Sequence, residues 1–477
     1  MSGTFQTTYW TDDGTKTTLP GAPGFVGGFA ATSAALLVPD TSGAGYAEST
    51  FTLDATKSFR VTGVPVGTYF LKMAASRTFL ANCGTGMIEV NTPFLFDAAS
   101  STPDLGNVTG ARPDLARPVS TAPTEITFSF TGMDPWVAGD RIQLASAQGL
   151  TNQRAISSPV PSAGATTFSG TSPWFSEGLP DAAKGDVVFV YQRATISIGS
   201  GAGTAAFHRA TRFDRRTDFT VADGTKSSVT AALAAAPQTG SVTVDLRGEQ
   251  FAALAADVAP GAVVSSGGMV VLAVPHSVTY PDMPIFEETP VAFLETSSAA
   301  DANYGALAYG RFLDPFWQDV RRVFYVFDAT PGGQDAIVES DLPVSALAAG
   351  PIVPVLSPPK TPRVNGNDAF AARTDVGLQP TISWSAPTLG APTSYTVEVL
   401  PATLELPCTV AGQTVGVTAT VHGATSFKVP PGMLKPGISY RATITAFQAP
   451  WDTQDAGPFR TGAPSHFAQC VTATFTP

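Results

Sequence analysis

The stretch that decides the fold lies in the last quarter of the chain, where PTISW occupies residues 380–384 and LKPGISYRATI occupies residues 434–444. Between them stand SYTVEV at 394–399 and TSFKV at 425–429. In PTISW, Ile382 and Trp384 alternate with polar residues, and SYTVEV repeats this period of two. Such alternation is typical of a β-strand with one buried face. The stretch therefore predicts a series of short strands packed around Trp384.

The order Trp, then Tyr-x-Val-x-Val, then Leu-x-Pro-Gly-x-x-Tyr-x-x-x-Ile resembles a fibronectin type III domain over residues 363–477. The resemblance implies a β-sandwich in which Trp384 fills the core from strand B. It also implies that Tyr440 is the corner tyrosine, with its hydroxyl bonded to the backbone near Leu434.

Composition extends the all-β prediction to the whole chain. Of 477 residues, 43% are hydrophobic and 14% are charged, which provides several packed cores and excludes a disordered chain. The 45 Gly and 40 Pro are spread along the length and indicate short strands separated by turns. We therefore predict a multi-domain array of β-sandwiches that ends in the fibronectin-type-III-like domain.

Linker-like segments divide the chain. Residues 99–123 are rich in Ser, Thr, Pro, Asp and Gly, and LSPPKTP at 356–362 predicts an extended, semi-rigid connector. We expect one domain at 1–112, β-rich domains at 113–235 and 236–355 that can equally be a single unit, and the last domain at 363–477.

The first of these domains carries a recognisable motif at residues 52–73, TLDATKSFRVTGVPVGTYFLKM. Phe59 and Val61 alternate, a Val-Pro-Val-Gly turn follows, and Tyr69 and Leu71 share one face of the next strand. The motif resembles the transthyretin-like or carboxypeptidase-regulatory-like β-sandwich. That resemblance implies a supporting or linking module without chemistry of its own.

Charge excludes one class of partner. The net charge of −11 repels phosphate backbones, so we expect no nucleic acid partner. The densest basic stretch, HRATRFDRR at 208–216, favours an ion-paired strand or solvated loop over an anion site. The longest apolar run, MVVLAVP at 269–275, is too short to span a bilayer as a helix. We expect a secreted or cell-surface protein whose signal or lipid-anchor segment is missing from this sequence.

Motifs for catalysis are absent from the sequence. The four histidines have no HExxH spacing, and neither a GxSxG elbow nor a P-loop occurs. We therefore predict no catalytic residue, no enzyme activity and no required cofactor. Three loops have oxygen ligands that calcium could use, although each also fits a plain Asx turn: Asp12-Asp13-Gly14, Asp223-Gly224 and Asn365-Gly366-Asn367-Asp368.

The three cysteines leave at least one thiol unpaired. Cys408 and Cys470 both fall in the last domain, where we expect either a disulfide between them or two buried thiols. The reactivity of Cys83 stays open, since no CxxC motif accompanies it.

A proline beside an aromatic residue recurs, often with an acid, and gives the candidate ligand-binding residues. An exposed indole stacks on the apolar face of a sugar while a carboxylate bonds its hydroxyls; the alternative is that each Trp plugs the core. The candidates are Trp136, Trp174, Asp314, Trp317 and Trp451. Asp314 with Asp319 is also a possible glycosidase pair.

These observations favour a non-catalytic extracytoplasmic surface protein, similar to bacterial surface lipoproteins of uncharacterised function, with a protein or glycan partner. One alternative is a structural component of a fibre, tail or surface assembly. Another is a carbohydrate-active enzyme whose site lies in the middle region.

Overall fold

The chain folds as an all-β protein, with only four short helical segments among its described residues. The computed structural model describes residues 2–4, 6–10, 16–20, 35–39, 46–52, 54–55, 58–64, 69–80, 87–98, 106–109, 123–146, 151–156, 160–174, 179–200, 203–275, 289–296, 299–313, 317–329, 335–347, 350–402, 416–450, 452, 454 and 463–477. None of the described helices is long and apolar enough to cross a membrane.

The strands fall into three groups along the chain. The N-terminal group is β1 (Ser2–Thr4), β2 (Gln6–Trp10), β3 (Lys16–Pro20), β4 (Ala35–Pro39), β5 (Tyr46–Thr50), β6 (Ser58–Arg60), β7 (Tyr69–Leu80), β8 (Met87–Ala98) and β9 (Gly106–Thr109). The middle group is β10 (Glu125–Thr131), β11 (Arg141–Ser146), β12 (Thr151–Ile156), β13 (Phe168–Pro173), β14 (Val188–Ser200), β15 (Gly203–Arg216), β16 (Lys226–Ala232), β17 (Ala234–Ala235), β18 (Gly240–Leu246), β19 (Val263–Pro275), β20 (Thr289–Thr296), β21 (Ala302–Tyr309), β22 (Trp317–Asp328) and β23 (Asp335–Pro343). The C-terminal group is β24 (Lys360–Val364), β25 (Asn367–Asp368), β26 (Thr381–Ser385), β27 (Ser394–Pro401), β28 (Val417–His422), β29 (Ser426–Lys428), β30 (Tyr440–Gln448) and β31 (Ser465–Val471).

All the helical segments described lie in the middle group. They are the 3-10 turns Ala182–Lys184 and Val344–Ala346 and the α-helical turns α1 (Gly248–Ala252) and α2 (Ala255–Val258). Phe251 and Val258 point from α1 and α2 into the core, and Phe251 stacks on Tyr325 with ring centroids 4.2 Å apart.

The C-terminal module is a fibronectin-type-III-like sandwich. One sheet has the order β25-β24-β26-β29, and β31-β30-β27-β28 form the facing sheet. Trp384 is 5% exposed and packs on Tyr395 across the sandwich, with ring centroids 5.1 Å apart. The hydroxyl of Tyr440 accepts a hydrogen bond from the backbone N–H of Lys435 at 2.9 Å. The predicted core tryptophan and corner tyrosine are therefore confirmed.

Of the two alternatives for the cysteines of this module, the structure contradicts a disulfide at Cys470 and fits a buried thiol. Cys470, on β31, is a free thiol with no exposed surface. Burial raises its pKa to about 12, so the thiol stays protonated and inert, as buried structural cysteines do. Cys408 and Cys83 lie outside the described residues.

The middle region is built on a long hairpin that faces two cores. Val188 and Val190 of β14 point into the smaller core, which the sheet β13-β10-β16 covers. Phe189 and Tyr191 point to the other face, into the larger core beneath β18 and β21. Successive side chains of a strand point to opposite faces, so one strand closes both cores. β15 continues into the second half by pairing with β17 and β20.

One sheet runs through all three strand groups. Its 17 strands include the path β12-β11-β14-β15-β20-β19-β22-β23 in the middle region. β23 then pairs with β31 of the C-terminal module, and β28 at the other edge of that module pairs with β8 of the N-terminal group. The path ends on β7, β4 and β5. The fibronectin-like sheet therefore has a neighbour at both edges.

The Pro-rich connector is packed into the protein, and its last residues begin β24. Leu356 and Ser357 are 1% and 0% exposed. The Ser357 hydroxyl accepts hydrogen bonds from the backbone N–H groups of Thr388 and Leu389, both at 3.1 Å. These bonds hold the connector against the module that follows it.

Replacing Tyr440 with Phe tests the corner. The variant removes the acceptor of the Lys435 N–H while keeping the ring, and we expect it to lower the free energy of unfolding by about 1–2 kcal/mol. Urea unfolding followed by tryptophan fluorescence measures the loss. Tyr46→Phe, which removes a half-buried hydroxyl for which the described residues provide no hydrogen-bond partner, is the matched control. Equal stability of the two variants would contradict the corner's contribution.

Candidate functional site

The first junction, between the N-terminal group and the C-terminal module, brings together two acids and a histidine. β8 and β28 are parallel there, with Leu95 opposite Ala419, and both residues are fully buried. Each of these strands has a polar residue at or next to its end, Asp97 before the last residue of β8 and His422 as the last residue of β28. The pairing places the two side chains in contact although 325 residues separate them in the chain.

His422 is held from both sides by carboxylates. Its Nδ1 lies 2.6 Å from Oδ1 of Asp97, and its Nε2 lies 3.0 Å from Oδ1 of Asp452. The backbone N–H of His422 donates to the other Asp97 oxygen at 2.6 Å. Because a carboxylate oxygen only accepts, both ring nitrogens must carry protons to satisfy this geometry. The ring is therefore an imidazolium that joins two elements.

The electrostatics agree with that assignment. Burial by itself lowers the pKa of His422, but the hydrogen bonds to Asp452 and Asp97 and their negative charges outweigh it and raise the pKa to about 9. Thr393 donates to the second oxygen of Asp452 at 2.9 Å, which orients that carboxylate. Since both ring nitrogens are already bonded, the imidazole has no lone pair for proton abstraction or metal binding.

The second junction, between β23 and β31, also contains a histidine, in the opposite state. His466 lies opposite Ser340, and its Nδ1 is 2.8 Å from the serine hydroxyl. Burial lowers the pKa of His466, against the opposing pull of Asp341. A serine, unlike a carboxylate, offers no compensating charge, so this ring is neutral at pH 7.

A buried ion cluster stands beside this junction. Arg322 on β22 bonds both oxygens of Asp341, at 2.8 and 2.6 Å, and lies 2.9 Å from Glu339. All three side chains are 11% exposed or less. A buried bidentate pair determines the relative position of its two side chains more than it adds to the free energy of unfolding. Here it holds β23, the strand that pairs with β31, against β22.

The candidate sugar-stacking residues are not brought together. Trp136 and Trp174 are 6% and 2% exposed and plug the core beneath β10, where they pack against Phe168 and Phe219. These two tryptophans fit the alternative that each Trp plugs the core and not that of an exposed platform, because loop entry into a strand places the indole between the sheets. Trp317 begins β22, but its side chain is not described, and Asp314 and Trp451 lie outside the described residues.

Asp319, the possible partner of Asp314, is bonded to other groups. Its Oδ2 accepts hydrogen bonds from the Tyr309 hydroxyl at 2.9 Å and from Arg311 Nε at 3.0 Å. Burial, then the charge of Asp319 and the hydrogen bond to it, raise the pKa of Tyr309. This arrangement closes one end of β21 against β22 and keeps the carboxylate engaged.

Two of the candidate calcium loops use their oxygens on the protein itself. Asp223 accepts from the Thr124 hydroxyl at 3.3 Å. Asn365 Oδ1 accepts from the Thr381 N–H at 2.8 Å, and Asp368 Oδ1 from the Phe370 N–H at 3.0 Å. Across the described ranges, no three His, Cys, Asp or Glu side chains group as a metal site would require. The loop at 12–14 lies outside those ranges.

The basic stretch at 208–216 forms most of β15, and its arginines are largely paired, as predicted. Arg212 Nε bonds Asp134 at 2.7 Å, Arg216 bonds Asp218 at 2.8 Å, and Arg209 donates to the Ala308 carbonyl at 3.1 Å.

The junction residues Asp97, His422 and Asp452 were not among the residues predicted from sequence. Asp97 and His422 are 325 positions apart and meet only because β8 pairs with β28. No motif or spacing marks acids and a histidine that strand pairing alone brings together.

We compared the chain with family models, curated proteins and solved structures. No known family model matches it, and no curated protein matches it. Among solved structures, the crystal structure of the FN1-FN3 domains of chicken CNTN1 is similar, with 12% identity over 72% of this chain and 89% of that chain and a TM-score of 0.14. That TM-score is too low to carry an argument, and the fibronectin-like assignment rests on the sheets, Trp384 and Tyr440 described above.

The first junction makes a pH-dependent contribution to stability. The folded pKa of His422, about 9, exceeds its ordinary value of 6.5, so the contribution is complete below about pH 6.5 and is lost as pH rises through 9. At 1.36 kcal/mol per pKa unit, the gap corresponds to about 3 kcal/mol. We expect the free energy of unfolding to fall by that order across this range, as measured by urea titration.

His422→Gln is the control for this measurement. It removes the titrating group, so its unfolding free energy should be lower near neutral pH and should change less between pH 6.5 and 9. Parallel pH profiles of the wild type and the variant would show that His422 is not the group responsible.

Proposed function

We propose that the protein is a non-catalytic scaffold whose β-modules form one rigid body and present binding surfaces to a partner. The observation that carries this proposal is the hydrogen-bonded sheet that passes from the middle region through β31 to β28 and on to β8. Modules joined only by a linker move independently, whereas modules joined by strand pairing share one backbone network.

Four further contacts support rigidity. The imidazolium of His422 links β8 to the C-terminal module, and the Arg322 cluster orders the strand beside β31. Lys360 at the start of that module lies 3.3 Å from Asp257 of α2. The buried connector adds its own hydrogen bonds to the module that follows.

The non-catalytic part of the proposal is supported by how the polar groups are used. Both ring nitrogens of His422 bond carboxylates, and Asp319 is engaged by Tyr309 and Arg311. General base catalysis requires a group that is free to accept a proton from substrate. A carbohydrate-active site would need Asp314 and a second free carboxylate in one cleft.

We further propose an extracytoplasmic place for this scaffold, secreted or lipid-anchored at a bacterial surface, with a protein or glycan partner. Support comes from the Gly- and Pro-rich β-modules and from the transthyretin-like motif at residues 52–73. Fold alone is a weak guide to function, so the partner must be found at a defined site.

Hydrogen exchange tests rigidity directly. We expect the amides of Thr418 and Thr420 in β28 and of His466 and Ala468 in β31 to exchange as slowly as amides at the centre of β30. Exchange followed by mass spectrometry resolves these strands. Fast exchange at both junctions in the wild type would overturn the proposed rigid body.

A double variant, Asp97→Asn with His422→Gln, provides the matched comparison within one molecule. Exchange should accelerate in β8 and β28, where the variant removes the charged contact, and stay unchanged in β23 and β31. Acceleration at both junctions would indicate global loss of stability instead of local opening.

A structural role in an assembly is the second candidate, and the ends of the sheet favour it. Within the part of the chain that the structure describes, β5 and β12 each pair on one side, so each has a row of backbone donors and acceptors that no described strand bonds. An open edge is a template for pairing with another chain. Sedimentation over a range of concentrations tests this: concentration-dependent oligomers support an assembly, and a monomer at the highest concentration excludes it.

A further inference from the structure

Among the described residues, two arginines of the middle region, Arg193 and Arg321, are buried with an unbonded Nε and without an ion pair. Arg193, on β14, is 9% exposed, yet its Nε has no hydrogen-bond partner and no carboxylate of the described residues pairs with its guanidinium. The guanidinium carbon instead lies 5.9 Å from the centroid of the Phe293 ring. A buried charge without a partner is costly, so this position requires an explanation.

The neighbours of Arg193 add positive charge. Arg141 on β11 lies directly opposite Arg193 in the antiparallel pair. Like charges in such positions destabilise a sheet. Burial lowers the pKa of Arg193, and Arg141 lowers it further, against the effect of Tyr191. The Arg141 side chain is exposed, and a negative group between the two arginines would relieve their repulsion.

An aromatic surface adjoins the two arginines. His208 on β15 pairs with Phe293 on β20, and the two rings stack with centroids 5.9 Å apart. The Nδ1 of His208 lies 2.9 Å from the Thr195 hydroxyl, which fixes the ring and leaves Nε2 on its other side. Arg193, His208 and Phe293 therefore form one cluster with a cationic and an aromatic part.

The nearby acids do not neutralise this cluster. Asp140 accepts hydrogen bonds from the backbone N–H of Thr195 at 2.7 Å and from Gln192 and Val137, both at 3.1 Å. Glu295 acts on the charge of His208 but is exposed and pairs with neither arginine. The burial of His208 and the charges of Arg193 and Arg141 lower its pKa, so the ring is neutral at pH 7.

We propose that the cluster of Arg141, Arg193, His208 and Phe293 is a binding site for the carboxylate of an acidic sugar residue. A guanidinium matches a carboxylate in bidentate geometry, and an aromatic face packs on the C–H face of a pyranose. The net charge of −11 disfavours densely charged polyanions as ligands. This inference rests on the proposed binding function, for which it names a ligand class.

Calorimetric titration of the full chain with sodium glucuronate tests the site, with glucose, acetate and sulfate as comparison probes. We expect saturable binding of glucuronate, weaker binding of acetate and sulfate, which lack the sugar ring, and none of glucose, which lacks the charge. Arg193→Gln should weaken glucuronate binding about tenfold or more. Arg216→Gln, which removes an ion-paired arginine from the same hairpin, should leave binding unchanged.

Stability separates a ligand-binding arginine from a structural one. Without ligand, Arg193→Gln should melt at the same temperature as the wild type or higher, because it removes a charge opposed by Arg141. His208→Asn is a second variant: its amide can keep the bond to Thr195 while the ring is lost, so binding should fall at unchanged stability.

Three outcomes would overturn the site: no glucuronate binding, binding equal to that of acetate or sulfate, or binding unaffected by Arg193→Gln. A lower melting temperature of Arg193→Gln would also overturn it, because the arginine would then be structural. None of these outcomes bears on the hydrogen-exchange protection of the junctions, so the scaffold proposal stands or falls separately.

Discussion

The edge strands of a β-sheet carry unpaired backbone groups, and the architecture of this protein follows from how those groups are paired. In the C-terminal module, β31 and β28 are the outer strands of one sheet, and each bonds a strand from elsewhere in the chain. A fibronectin-like sandwich that stood alone would leave both edges open to other chains. Here the middle region covers one edge and the N-terminal group covers the other.

The two junctions use the same residue type in opposite charge states. His422 meets two carboxylates and is held as a cation, while His466 meets a serine in a buried position and is neutral. In both cases the partner across the junction decides the state, since burial alone disfavours the cation. A charged contact at one junction and a neutral one at the other mean that the two junctions respond differently to pH.

Two buried arginines of the middle region, Arg322 and Arg193, have different surroundings. Arg322 is bonded by two acids and serves the strand pairing beside it. Arg193 is as deeply buried but faces another arginine and an aromatic ring. On this contrast Arg322 belongs to the scaffold, and Arg193, which also faces a like charge, is the arginine for which we propose a ligand.

Local periodicity by itself determined the all-β class and the buried face that contains Trp384, and the resemblance to a fibronectin type III domain implied the Tyr440 corner. Alternation and turn residues act over a few positions, so a sequence displays them directly. Only tertiary structure decided that Trp136 is a core plug, that Cys470 is a free thiol, and that Asp97 reaches His422. These outcomes depend on which strands become neighbours. Hydrogen bonds between strands that are distant in the chain join backbone groups, which every residue has, so no local sequence pattern predicts the pairing.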